Sequence, residues 1–127
     1  AFGCSPRRQV EEKNKMKTQE KIGIEVNWPK QKCDDENCPF HGTLKLHGRV
    51  FVGKVKSTKM HKTAIVEWGR LFHIKKYERY EKRRTKIKAH VPPCIQVKEN
   101  DIVKIMESRP ISKTKTFVVI ENETKQI

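Results

Sequence analysis

From Leu44 to Lys56 the sequence alternates for longer than a flat strand can use. Leu44, Leu46, Val50 and Val52 are apolar at even positions, and Lys45, His47 and Arg49 stand at odd ones. After Gly53 the parity reverses: Val55 is apolar, and Lys54 and Lys56 are not. Period two marks a strand with one buried face. A reversal at a glycine therefore indicates a bulge or sharp bend inside one long strand. Such a strand can serve two sheets at once, as the first strand of a small barrel does.

The rest of the chain extends this reading. "TAIVEWGRLFHI" is a second strand, with Gly69 as an irregularity. "DIVKIMES" and "TFVVIE" are strands, separated by the loop "RPISKTK". "STKMHK" and "KEND" read as turns, and Pro92 and Pro93 keep "HVPPCIQV" extended. Strands at short spacing with one long insertion indicate an all-β barrel or sandwich. Residues 43–121 form this domain, and residues 122–127 are a tail without clear signal. Residues 33–42 form a cysteine knuckle.

Residues 1–32 read as an extension, with eight Lys or Arg against four acids. Between Ser5 and Lys21 only Val10 and Met16 are strong apolar anchors, too few to offset the entropy of ordering, so this arm is expected to be mobile when free. "IGIEVNWP" differs. Ile22, Ile24, Val26 and Trp28 alternate with Gly23, Glu25 and Asn27, which predicts a short strand docked on the domain or on a partner.

Charge narrows the function. The formal net charge is +14 over 127 residues, and self-repulsion of that size opposes compaction. It favours association with a polyanion, because each neutralised phosphate releases condensed counterions. No apolar run approaches the roughly 18 residues of a membrane span, and no apolar signal-peptide core is present. An intracellular setting with reduced cysteines is therefore expected.

The densest basic segment is "KKYERYEKRRTKIKAH". Lys75, Lys76, Arg79, Lys82, Arg83, Arg84, Lys86 and Lys88 face only Glu78 and Glu81. Tyr77, Tyr80, Arg84 and Ile87 fall at helical spacing, so an amphipathic helix is one reading, supported by a Glu78–Lys82 pair. The other is an RNA-contacting arm, in which basic heads neutralise phosphates and tyrosines stack on unpaired bases. Arg79, Arg83 and Lys86 are expected to reach phosphates while one side of the stripe anchors the segment. Arg49, Lys54, Lys56, Lys59, Lys62 and His90 are further candidate contacts. So are Arg109, Ser112, Lys113, Thr114 and Lys115, where hydroxyls and basic heads together suit phosphate oxygens.

Cys33, Cys38 and His41 stand in a C-x4-C-x2-H spacing, and Cys94 can supply a fourth ligand. Three thiolates and an imidazole suit tetrahedral Zn²⁺, the one cofactor the sequence suggests. The other reading is a loop with buried reduced thiols. Cys4 reads as a lone thiol. No catalytic constellation is present: Cys94 and His90 lack a third orienting group, and no glycine-rich nucleotide loop exists.

Five stretches, "CPFHG", "GRVFVGKV", "KMHKTAIVE", "KKYERYEKRRTKIKAHVPPC" and "NDIVKIMESRPISKTKTFVVIE", follow one another in this order. Over about Cys38 to Glu121 they closely resemble the universal small-subunit ribosomal protein number seventeen family, in its archaeal and eukaryotic form. The resemblance implies a five-stranded OB-type Greek-key barrel. It implies a structural, non-enzymatic role as an early-assembling binder of small-subunit rRNA, cytoplasmic within the ribosome. Its partners are then rRNA and neighbouring small-subunit proteins, with no homo-oligomer and no membrane. The family's RNA-projecting loop matches about Phe72 to His90. Its signature loop matches Arg109 to Lys115, and its turn after the first strand matches Ser57 to Lys62. Glu99-Asn100 stands where the family usually has a glycine beside the Asp. The rival reading is a free OB-fold single-strand binder such as a translation factor. It requires exposed aromatics along one sheet face, whereas Phe51, Trp68, Phe72 and Phe117 are expected in the core.

Overall fold

The computed structural model describes residues 22–126. The arm expected to be mobile over residues 5–21, most of the extension's basic residues and Cys4 lie outside the described residues. Five strands follow: β1 (Leu46–Met60), β2 (Thr63–Ile74), β3 (Arg79–His90), β4 (Ile102–Ser108) and β5 (Lys115–Asn122). They close into a barrel in the order β1-β2-β3-β5-β4. The β3–β5 pair is parallel and the other four are antiparallel. This is the OB-type Greek key. A 3₁₀ turn, Glu123–Gln126, follows β5.

The bend in β1 comes earlier than its sequence parity suggests. Val52 is exposed, while Phe51 packs on the core and Val55 is fully buried. The register shift against β4 falls between Leu46 and Val50, where four residues of β1 run against two of β4. Gly48 sits there with φ of 93°, a conformation that a Cβ disfavours. Gly53, by contrast, is a regular ladder position opposite Val103. A further irregularity lies between Val55 and Ser57. Residues 57–60, expected as a turn, continue β1. The actual turn is His61-Lys62, with Lys62 at φ 48°. At the "KEND" turn Asn100 takes φ of 72°, which Asn tolerates better than most residues.

Apolar residues form two clusters rather than one. Val55, Ala64, Val66, Ala89, Val103, Ile105 and Val119 fill the barrel interior. Ile22, Cys38, Phe40, Leu44, Leu46, Cys94, Met106, Val118 and Ile120 form the second, on the outer side of β4 and β5. The knuckle and the segment 22–28 cover this second cluster. That explains the unbroken run Val118, Val119, Ile120: alternate residues feed different cores, so neither face of β5 is left to solvent there. Each buried Val or Ile side chain contributes about 1.5–3 kcal/mol of transfer free energy. Segment 22–29 joins no sheet, contrary to the expected strand, yet it keeps period-two burial. Ile24, Val26 and Trp28 pack against the cluster as a covering strap.

The expected loop, or helix, after Phe72 is neither. β2 and β3 pair without a break from Thr63↔His90 to Ile74↔Arg79 and enclose a four-residue turn, 75–78. Glu78 closes it at φ 49°. Beyond Gly69 and Arg84 nearly every residue of the hairpin is exposed, so this is an arm reaching roughly 20 Å past the barrel at about 3.4 Å per residue. The helical stripe Tyr77, Tyr80, Arg84, Ile87 therefore does not exist. Period two sorts these positions onto different faces.

Candidate nucleic-acid interface and metal centre

Directly opposed residues of an antiparallel pair share a face, so the ladder of the hairpin assigns each basic side chain. One face carries Lys82, Arg84, Lys86 and Lys88 on β3, opposite Leu71, Gly69, Glu67 and Ile65 on β2. It is continuous with the outer wall of the barrel, where Lys54 pairs with Glu67 and Lys56 lies 3.8 Å from its carboxylate. The other face carries Arg79, Glu81 and Arg83 opposite Ile74, Phe72 and Arg70, and runs into the barrel interior. Of the three residues expected to reach phosphates, Arg79 and Arg83 thus project from one face and Lys86 from the other.

The exposed arm is stiffened by local contacts. The guanidinium of Arg83 lies 4.1 Å from the centre of the Phe72 ring and donates to Glu81 Oε2 at 2.8 Å. His73 and Tyr80 rings approach to 5.1 Å across the strands. Phe72 is 40% exposed, not in the core, and Leu71, Tyr77 and Tyr80 are 64–69% exposed. Lys75 and Lys76 occupy the turn, with the Lys76 ammonium 5.5 Å from the Tyr77 ring centre. Exposed aromatics therefore cluster on the arm, while Phe51 and Trp68 stack at 4.8 Å on the inner side of the sheet. Arg70 and Leu71 escaped the sequence reading because β2 looked like a core strand throughout. The cross-strand register with Arg83 and Lys82 is the signal that exposes them.

Other basic segments approach the His90 end of the β2–β3 ladder, on the barrel side of the Gly69↔Arg84 pair where the exposed arm begins. Lys115 begins β5 beside Lys88. Arg109, Ser112, Lys113 and Thr114 are exposed in the β4–β5 loop, where the Ser112 hydroxyl accepts from the Lys115 amide. The Lys62 carbonyl accepts from the Val91 amide, which brings the β1–β2 turn to the same end. Lys59 is exposed just before that turn. Arg49 stands apart at the bulge, its amide directed at Glu107.

His90 departs from its expected role as an RNA contact. It is only 3% exposed, and its Nε2 lies 2.9 Å from Asp35 Oδ2. Burial pushes its pKa below the usual value, against the opposing pull of Asp35. Its Nδ1 is buried without a partner, which a neutral ring tolerates and an imidazolium does not. His90 is a tie between the barrel and the knuckle. Lys62, 3.8 Å from the same Asp35 oxygen, is partly engaged there too.

The knuckle assembles the four candidate ligands. Turns closed by Cys38 N–H to Asp35 O and Gly42 N–H to Cys38 O fold residues 35–42 back on themselves. A Cβ on Gly42 would fall on the carbonyls of Asp35 and Glu36, so this turn requires glycine. The segment after β3 brings Cys94 from the far side. Cys33 Sγ and Cys38 Sγ lie 3.3 and 3.6 Å from His41 Nδ1, and Cys38 Sγ lies 3.6 Å from Cys94 Sγ. All four donor atoms lie within 4.8 Å of one another. A tetrahedron with Zn–S near 2.3 Å and Zn–N near 2.0 Å needs edges of about 3.5–3.8 Å. The donor set therefore fits a four-coordinate metal ion. Without metal, the Cys94 thiol and the backbone amides of Phe40 and His41 hold the Cys38 thiol down to about 4, a ligand ready as thiolate. Hydrogen bonding to Cys38 and burial push Cys94 up, and burial raises Cys33. Trp28 covers the site, edge-on to Phe40 at 5.5 Å and to His41 at 6.3 Å.

Comparison with known proteins agrees with this geometry. The family model for ribosomal protein S17 matches residues 53–121. The chain is 59% identical over 100 residues to the small ribosomal subunit protein uS17 of Methanocaldococcus jannaschii, covering 79% of this chain and 86% of that one. It is 55% identical to the uS17 of Methanococcus vannielii and 56% identical to that of Methanoregula boonei, again over 79% of this chain and over 92% and 93% of theirs. A closed five-stranded barrel with a basic hairpin arm, together with these matches, shows that the chain belongs to the ribosomal protein S17 family.

Proposed function

We propose that this protein is a structural component of the small ribosomal subunit that binds its rRNA directly, without catalysis. The observation that carries the reading is the β2–β3 arm, basic on both faces and continuous with the basic outer wall at Lys54 and Lys56. Cations on opposite faces of a thin ribbon can neutralise phosphates of two RNA segments at once and hold them together. A second basic group, Lys59, Lys62, Arg109, Lys113 and Lys115, adds phosphate contacts from the barrel end of the ladder. Tyr77 and Tyr80, exposed at its tip, can stack on unpaired bases. Neighbouring small-subunit proteins and the cytoplasmic ribosome are the corresponding setting.

The Cys33, Cys38, His41, Cys94 set holds Zn²⁺ in this reading. When bound, the ion supplies cross-linking: it ties the knuckle to the segment after β3, as small domains with limited cores often require. It supplies no open coordination position, since all four are protein ligands.

Replacing Lys82, Arg84, Lys86 and Lys88 by Gln tests the function. The variant is expected to fold, because all four are exposed, and to lose its hold on small subunits during a high-salt wash that the parent protein survives. Release of the parent protein in the same wash would instead favour a transiently bound factor. Elemental analysis finding no zinc in the purified protein would remove the metal.

A further inference from the structure

On the outer wall, where β1, β2 and β3 lie side by side, Gly69 leaves a gap in the row of side chains. An added Cβ there would meet nothing within 4 Å. The gap opens a hollow of about 450 Å³, lined by Lys54, Lys56, Glu67, Gly69, Arg84 and Asn100 among others. Its polar equipment is unusual for a surface otherwise built to attract phosphates. Glu67 is the one acid in it, and its side chain is only 19% exposed. Three cations surround the carboxylate: Lys56 at 3.8 Å, Arg84 at 3.7 Å and Lys86 at 3.9 Å. None comes within hydrogen-bonding distance, and Glu67 Oε2 is buried with no hydrogen-bond partner at all. A buried acceptor of this kind is costly unless something completes it.

A carboxylate accepts two hydrogen bonds side by side, and here it can do so once the half-exposed side chains of Lys56 and Lys86, which lie against Oε2, swing off it toward solvent. Among the four RNA bases only guanine presents two adjacent donors, N1–H and the N2 amino group, with the O6 acceptor next to them. Donors meeting Glu67 would leave O6 beside the cations, and the nucleotide's own phosphate within reach of the others. The volume is ample for one base, and the absent side chain at position 69 leaves the floor open. We propose that this hollow is a guanine-reading subsite, with Glu67 as its specificity determinant, that takes one unpaired guanine of the bound RNA. The inference rests on the RNA-binding reading above and adds base selectivity to what would otherwise be phosphate and shape recognition.

The test compares three RNA pentamers, AAGAA, AAAAA and AAIAA, by fluorescence anisotropy with the full chain. Inosine keeps N1–H and O6 and lacks the N2 amino group. The guanine pentamer is expected to bind about tenfold tighter than the adenine one, with inosine between them. Glu67→Gln, which turns one acceptor into a donor, should bring the three within about twofold. Gly69→Val, which sets a branched side chain on the open floor without a backbone clash, should narrow the differences among the three. Both variants should keep their affinity for a small-subunit rRNA fragment within a few-fold, because the cations remain. Equal affinities for the pentamers, or no binding of any, alongside intact rRNA binding would overturn the subsite alone. Loss of rRNA binding by the parent protein would overturn the RNA reading and the subsite together. Competition by free GMP as strong as by AAGAA would retain guanine recognition and overturn RNA as its source.

Discussion

His90 shows how a residue type that suits a polyanion surface can be spent on the inside of the molecule. Its ring lies against Asp35 with one nitrogen unpartnered, and burial holds its pKa below that of a free histidine. The ring is therefore neutral in the folded state at a pH where the unfolded chain begins to take up a proton. Stability from this group is fully present above the unfolded value and falls as pH drops through it. The parent protein should lose stability between pH 7 and 5 more steeply than a His90→Gln variant, by at most about 1.4 kcal/mol per pH unit. Thermal melts of both at several pH values, with metal content followed alongside, check this. Gly42 offers a second test at this scale. Gly42→Ala changes no ligand but sets a methyl against two carbonyls, and metal affinity should fall about 10–100-fold. A competition titration against a chelator measures it. Neither role could be read from sequence, because both depend on contacts between segments far apart, Asp35 with His90 and Glu36 with Gly42.

The strands were largely legible, and the reason is visible in their burial. Wherever one face meets a core and the other is more open, as from Ile102 to Ile105 or Lys54 to Lys56, the pattern carries the information. It failed where that asymmetry ends. From Arg79 to Arg84 both faces of β3 are exposed, so no alternation exists, and spacing alone admitted a helix. At Val118–Ile120 both faces are buried, and the run is simply apolar. Sequence parity points to Gly53 rather than to the bend near Gly48, because His47, Gly48 and Arg49 are all exposed and hide the register shift. The arm's exposure has a dynamic consequence. Two strands alone are marginally stable in water, and only a few cross-strand contacts support this pair. Amides of residues 70–83 should exchange at least tenfold faster than those of Val103–Met106 in the free protein, and slow markedly on binding rRNA. Hydrogen exchange with and without an rRNA fragment checks both.

The molecule as a whole has two halves joined at β4 and β5: a barrel presenting cations, and a metal-site cap that covers the opposite wall. The metal candidate was half legible. C-x4-C-x2-H marks three ligands and leaves Cys94 as a candidate fourth, and the fold brings Cys94 to within 3.6 Å of Cys38 across 56 positions. Removing the proposed metal should loosen the cap first, because ligand bonds through Cys33, Cys38, His41 and Cys94 would tie it to the barrel. Chelation is expected to make residues 22–44 protease-sensitive and to lower the melting temperature, while the basic β2–β3 arm stays intact; limited proteolysis with mass spectrometry reads this directly. The central claim concerns the other half, that cations on the arm and its base bind rRNA by neutralising phosphates. The most direct measurement is the salt dependence of binding to a small-subunit rRNA fragment. If about six to eight phosphates are contacted, log K against log salt should fall with a slope of roughly −4 to −7. A slope near zero would contradict the account.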